Sequence, residues 1–210
     1  EFSPFSLTLN AADSDLPAQT LTYSLVSGPD GLRVNEQGEL IWTPTEVQGP
    51  GNYPVVVRVT DPGLPSASAE TGFSVTVNEV NTAPVLMGVV DQIVDELSLL
   101  QLTLSAADSD VPAQNLTYSL LSGPDGLTIS PTGALAWRPT EAQGPGSYTV
   151  VFRVTDHGTP PLNAETGFSI TVNEVNATPV MTEVAHQTVD ELSAFQLSLD
   201  ATDSDLPVQS

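Results

Sequence analysis

A chain of 210 residues with 40% hydrophobic content has room for one large or two small cored domains. Its 26 carboxylates face four cations (Arg33, Arg58, Arg138 and Arg153), and a net charge of −22 excludes nucleic acid and anionic lipid as partners while favouring cations. With no cysteine there is neither a disulfide nor a thiolate metal site, and there is no apolar run of the roughly 18 residues that a membrane helix needs.

The chain repeats itself. AADSDLPAQTLTYSLVSGPDG at 11–31 returns as AADSDVPAQNLTYSLLSGPDG at 106–126. Trp42, Tyr53, Asp61, Phe73 and Glu79 return as Trp137, Tyr148, Asp156, Phe168 and Glu174, each at an offset of 95 residues without a gap. A third copy opens with VDELS at 189–193, after 94–98, and ATDSDLPVQS at 201–210, after 106–115. The expected organisation is therefore a repeat lacking its first strand (1–84), a complete repeat (85–179) and the opening strands of a third (180–210). One or two strands cannot bury a core alone, so a neighbour or a continuing chain is expected to complete the third copy. The preferred reading is a window on a longer array. The initial Glu-Phe matches a cloning remnant, so Glu1 counts as a site residue only if it is native.

Within the complete repeat, period-two alternation marks strands in order along the chain. Leu102 and Leu104 share a face in QLTLSA, as do Leu116, Tyr118 and Leu120 in LTYSLL, and Leu135 and Trp137 in ALAW. Tyr148, Val150, Phe152 and Val154 follow in SYTVVFRVTD, then Phe168, Ile170 and Val172 in AETGFSITV. Gly-Pro-Asp-Gly at 28–31 and 123–126 reads as a type I turn with proline second. Asn-Glu-Gln-Gly (35–38) and Ser-Pro-Thr-Gly (130–133) read as hairpin turns closed by a glycine bulge. No window has helical apolar spacing. The fold class is all-β: tandem seven-stranded Greek-key β-sandwiches arranged end to end. Trp42, Trp137 and the four tyrosines, all in alternating strands, read as core rather than as sugar-stacking platforms.

The acids gather at strand ends and linkers. Asp108, Asp110 and Asp156 end strands at one pole of the second sandwich; Glu96, Glu141 and Glu174 belong to the other. End-to-end stacking brings Glu46 and Glu79 to Asp108, Asp110 and Asp156. Two carboxylates about 4 Å apart repel by roughly 4 kcal/mol at an effective dielectric near 20, so such a group needs a counterion. Oxygen donors in that number favour calcium over the stricter octahedron of magnesium.

RVTDHGTPPLNAETGFSITVNEVNATPV (153–180) resembles the closing half of a cadherin repeat. VDELS (94–98), AADSD (106–110) and PTE (139–141) resemble that family's first glutamate, its Asp-x-Asp pair and its Asp-Arg-Glu segment. The likeness covers the whole repeat and is nearest to bacterial and archaeal cadherin-like or dystroglycan-type modules. It implies Ig-like, cadherin-like sandwiches on an extracellular or cell-surface protein, with Ca2+ between successive domains. By that resemblance the first junction uses Glu46, Glu79, Asn81, Asp108, Asp110 and Asp156, with Glu1 if native. The second uses Glu96, Glu141, Glu174, Asn176, Asp203 and Asp205. Asp13, Asp15 and Asp61 are the matching acids of the first copy. The family's bridging linker aspartate is missing from Glu-Val-Asn-Thr-Ala-Pro (79–84), which points to fewer ions per junction.

No nucleophile–base pair, phosphate loop or histidine cluster suggests an enzyme, and the carboxylates sit in repeated junction loops rather than a pocket. His157 and His186 are assigned no role, and the sequons at Asn115 and Asn176, absent from the first copy, read as chance. The leading expectation is a calcium-rigidified structural repeat of an extracellular fibre or adhesin stalk, whose partners are neighbouring repeats. The alternatives are an adhesive module for a partner cell or glycan and an accessory domain of a secreted enzyme.

Overall fold

A computed structural model describes residues 2–205. Its residues form two compact units. Unit 1 comprises Glu1–Thr82, Ser109–Gln114 and Gly158–Pro160; unit 2 comprises Ala83–Asp108, Asn115–His157 and Pro161–Ser210. No helix among the described residues is long and apolar enough to cross a membrane.

Unit 1 contains β1 (Phe5–Thr8), β2 (Thr22–Ser27), β3 (Arg33–Val34), β4 (Glu39–Trp42), β5 (Gly51–Thr60) and β6 (Ser68–Val77). They form two antiparallel sheets, ordered β1-β4-β3 and β2-β5-β6. Leu40 and Trp42 from one sheet and Val55, Val57 and Val77 from the other are at most 5% exposed and share one core.

Unit 2 contains β7 (Val85–Leu86), β8 (Gln92–Asp95), β9 (Leu100–Thr103), β10 (Ala106–Ala107), β11 (Thr117–Ser122), β12 (Thr128–Ile129), β13 (Ala134–Trp137), β14 (Gly146–Thr155), β15 (Asn163–Asn173), β16 (Val180–Met181) and β17 (Ala201–Thr202). One main sheet is ordered β11-β14-β15-β8 and the other β12-β13-β9, with β7 paired to β10. Counting β7 with β8 and β9 with β10 as interrupted strands gives the seven of a Greek-key sandwich. The alternation along β14 is realised in burial: Val150, Phe152 and Val154 are fully covered, while Arg153 faces outward to pair with Glu165. Each such apolar side chain contributes about 1.5–3 kcal/mol on burial. Trp137 is 1% exposed, lies edge-on to Tyr148 with ring centroids 5.3 Å apart, and donates its indole N–H to the Asp125 carbonyl at 3.1 Å. Both tryptophans are therefore core residues.

The hairpin turns close as expected: Gly38 and Gly133 take φ of +84° and +86°, and their N–H groups donate to Asn35 and Ser130 carbonyls. The Gly-Pro-Asp-Gly turns differ from expectation by one residue. The Pro29 carbonyl accepts the Leu32 N–H at 3.2 Å and Pro124 accepts Leu127 likewise, so proline is first in the turn. Glycine sets this register, because Gly31 and Gly126 hold φ of +87° and +83°, where a Cβ is disfavoured. Beyond Pro179, β16 and β17 form a two-stranded pair, and Val184, Val189, Phe195 and Leu199 remain 44–57% exposed.

Candidate metal centre

Two clusters of three carboxylates occur among the described residues, one in each unit. In unit 1, Glu46, Glu79 and Asp110 each offer an oxygen within 4.8 Å of the others. Glu46 opens a single 3₁₀ turn at Glu46–Gln48, whose start is fixed by a reciprocal Thr45–Gln48 pairing. Glu79 follows β6. Asp110 is only 3% exposed, although the sequence repeat assigns it to the second copy. It is held by N–H and hydroxyl donation from Thr82 and by the Gln114 amide at 2.8 Å. Glu46 accepts the Val111 N–H at 2.8 Å. Asn81 donates to the Pro160 carbonyl and accepts from Gln114.

Unit 2 contains a second cluster, Glu96, Glu141 and Glu174, again within 4.8 Å; Glu141 and Glu174 are the 95-residue counterparts of Glu46 and Glu79. Glu141 opens the 3₁₀ turn Glu141–Gln143, with the same pairing between Thr140 and Gln143. Glu96 leaves β8, which runs parallel to β15 and is pinned there by its own Asp91 and Asp95 neighbours, bonded to Ser169 and Asn173. The Glu96 side chain is 1% exposed; its Oε1 accepts the Val175 N–H at 3.1 Å. Its Oε2, and both carboxylate oxygens of Glu174, are buried with no N–H or hydroxyl donor among the described residues, so these two acids have only each other's carboxyl groups to meet there. Burial first, then the charges of Glu96, Glu141 and Asp205, push the Glu174 carboxyl above its ordinary range. Asp205, 2% exposed, receives the Ala177 N–H on both oxygens at 2.9 and 3.0 Å.

Several of the remaining acids accept hydrogen bonds within their own loops. Asp61 Oδ1 accepts N–H bonds from Gly63 and Ala67, and Asp156 Oδ1 accepts that of Leu162 at 2.8 Å. Asp13 and Asp203 each accept the N–H two residues on, from Asp15 and Asp205. Asp13 and Asp15 are exposed, Asp108 is half-buried in unit 2, and Asn176 is exposed with its amide donating to the Ala177 carbonyl. Among the described residues, Asp13, Asp15 and Asp61 do not converge as the two triads do. Glu1 lies outside the described residues.

The donor chemistry fits a hard divalent cation. Oxygens on opposite sides of a calcium ion stand at most about 5 Å apart, given bonds of about 2.3–2.6 Å, and these clusters fall inside that span. Every side chain in the two triads is a carboxylate, and buried oxygens of Glu96 and Glu174 are left over after protein hydrogen bonding. Sequence reasoning found all six acids. It missed Gln114, Thr82 and Val175, which hold the acids through an amide or backbone N–H and carry no charge signal.

Two-sheet sandwiches in tandem, with acids of successive copies drawn into one cluster at Glu46, Glu79 and Asp110, define a cadherin-like Ig-type repeat. The family model described as "Putative Ig domain" (He_PIG) matches residues 1–78 and 83–173, and the chain belongs to that family. Protocadherin-16 of Mus musculus is 27% identical over 237 residues, covering 95% of this chain and 7% of the mouse protein. Protocadherin Fat 1 of Homo sapiens is 27% identical over 191 residues, covering 81% of the chain and 4% of the human protein. The chain thus spans less than a tenth of the length of these curated relatives. Among solved structures, human CDH23 EC21-23 superposes with a TM-score of 0.60 at 23% identity, covering 94% of this chain and 78% of that one. Mouse Cadherin-23 EC22-24 gives 0.60 at 20% identity, covering 94% and 69%. These likenesses establish the fold. The relatives are cadherins, and the chain is an extracellular cadherin-like repeat segment.

Proposed function

We propose that the chain is a calcium-rigidified structural repeat of an extracellular fibre or surface-adhesin stalk, divided as 1–84, 85–179 and 180–210, with neighbouring repeats as its partners. One observation carries this reading: Glu96, 1% exposed, keeps a buried oxygen that no N–H or hydroxyl donor among the described residues reaches, within a cluster of three carboxylates. Glu46, Glu79 and Asp110 would hold one ion, assisted by Asn81, Asp108 and Asp156. Glu96, Glu141 and Glu174 would hold another, with Asn176, Asp203 and Asp205; Asp13, Asp15 and Asp61 are the equivalent acids at the start of the chain. Calcium, when bound, supplies the positive charge that makes these oxygens tolerable side by side.

The protein side of the mechanism is electrostatic. Without a cation the acids repel one another and favour separation of the segments that carry them. With one, segments from successive copies share a single charge, and the binding free energy adds to the stability of the arrangement. The cadherin relatives support this setting.

Titrating calcium into the 210-residue chain tests it. At a calcium concentration about 100-fold above Kd the stabilisation is about 2.7 kcal/mol. For a domain of this size that raises Tm on the order of ten degrees. Small-angle scattering should show a narrower distribution of intramolecular distances, reversed by chelator. If millimolar calcium moves neither Tm nor scattering, the chain is not a calcium-stiffened repeat.

A further inference from the structure

We propose that Gly144 is a positioning residue of the unit 2 cluster: its missing Cβ creates the space in which the Glu96 carboxylate stands beside Glu141 and Glu174. The proposal rests on the calcium reading above and extends it to a residue with no ligand atom.

The backbone does not require glycine there. Gly144 has φ of −109° and ψ of 148°, extended values open to any residue. Space does require it. A Cβ at Gly144 would lie 2.2 Å from Glu96 Oε2 and 3.1 Å from both Cβ and Cδ of Glu96. Comfortable heavy-atom contacts between carbons are about 3.5–4.0 Å, so a methyl group and this carboxylate cannot share the site.

Neither backbone has room to retreat. The turn that ends at Gly144 is braced on every side. The Gly144 N–H donates to the Glu141 carbonyl at 3.2 Å, and the Thr140 N–H donates to Gln143 Oε1 at 2.8 Å. The Gln143 amide donates to the Asp125 carbonyl at 3.2 Å, while the Tyr148 hydroxyl donates to the Gln143 carbonyl at 2.9 Å. The same short turn therefore presents one acid, Glu141, and leaves room for another, Glu96.

Glu96 is fixed from its own side as well. Its N–H donates to the Asn173 carbonyl at 3.0 Å, and the next residue, Leu97, donates to Pro139 at 2.9 Å. Leu97 adopts the left-handed φ of +56°, and Phe2 and Leu192, its counterparts at the 95-residue offset, take +52° and +64°. A leucine or phenylalanine accepts that conformation only at a cost, so the backbone is bent here against its preference. What yields to a methyl at 144 is the end of the Glu96 side chain, which leaves the cluster.

The test is a double-mutant cycle read by calcium calorimetry on the 210-residue chain, in a Glu79→Gln background that weakens the unit 1 cluster. Circular dichroism monitors the fold. Gly144→Ala and Glu96→Ala should each weaken calcium binding at least ten-fold, and Gly144→Ala should add no further loss once Glu96 is alanine. A purely structural role for Gly144 gives the same loss in both backgrounds and overturns the proposal, as does undiminished binding by Gly144→Ala. If Gly144→Ala alone does not fold, the Gly144→Ala/Glu96→Ala protein should fold, because removing Glu96 vacates the space. Failure of both to fold overturns the proposal. If the parent chain binds no calcium, the calcium reading fails and takes this inference with it. A parent that binds, with Gly144→Ala binding equally well, overturns the glycine alone.

Discussion

Replacing Glu96 with glutamine should stabilise the calcium-free protein and destabilise the calcium-loaded one. The substitution keeps Oε1 as acceptor for the Val175 N–H and puts an amide where the unpartnered Oε2 stood. Two unit charges 4.8 Å apart, the outer bound within the cluster, repel by about 3.5 kcal/mol at an effective dielectric of 20. Glu141 is partly exposed, so solvent and salt reduce this to about 1 kcal/mol. The new amide can donate to a neighbouring carboxylate for about 1 kcal/mol more. Together these raise Tm in chelator on the order of 5–10 °C. In calcium the loss of one charged ligand weakens binding; a ten-fold loss of affinity removes about 1.4 kcal/mol of the ligand-dependent stabilisation. Thermal melts of both proteins in chelator and in saturating calcium should therefore change order. A glutamine protein that melts below the parent in chelator, or that gains as much from calcium as the parent, refutes the reasoning.

Four other substitutions probe the same framework. The Glu174 carboxyl, raised above its ordinary value of 4.5, favours the folded state below that value and loses this contribution as pH rises through the raised pKa. In chelator, Glu174→Gln should thus be the more stable protein at pH 7, with the gap closing as pH falls towards about 4.5; a pH-independent gap contradicts the assignment. Leu97→Gly, at an exposed residue with φ of +56°, should be neutral or stabilise by about 1 kcal/mol in denaturant titrations, against the usual loss on inserting glycine. Trp137→Phe should cost about 2–4 kcal/mol, through the lost bond to Asp125 and the void left behind. Trp42→Phe should match it, because Trp42 makes the same bond to Asp30 and the same edge-on contact with Tyr53; melts that differ widely would show the cores are not equivalent.

The strands were legible because alternation reports burial directly: Val150, Phe152, Val154 and Ile170 fall where period two places them, all fully covered. The six clustered acids were legible because charge at strand ends is conspicuous in a chain whose strand faces are mostly Ser, Thr and apolar. Pairing was not. Nothing in Gln92–Asp95 says that it lies parallel to β15, because alternation fixes a face and not a partner. The turn register at Pro29 and Pro124 was misplaced because proline suits the second position of a turn in general, while here the positive φ of the glycine two residues later decides. Gly144 could not be read at all, since the group that needs its bare α-carbon is 48 residues away in sequence (144 minus 96).

The hold on Asp110 by Thr82 and on Asp205 by Ala177 is made through a main-chain N–H in both copies. A peptide N–H is common to every residue but proline, so the linker position is free to drift from threonine to alanine while the grip persists. A gene segment copied once more would carry its own clasp with it. Such an array can lengthen without any new side-chain match having to evolve at the seam.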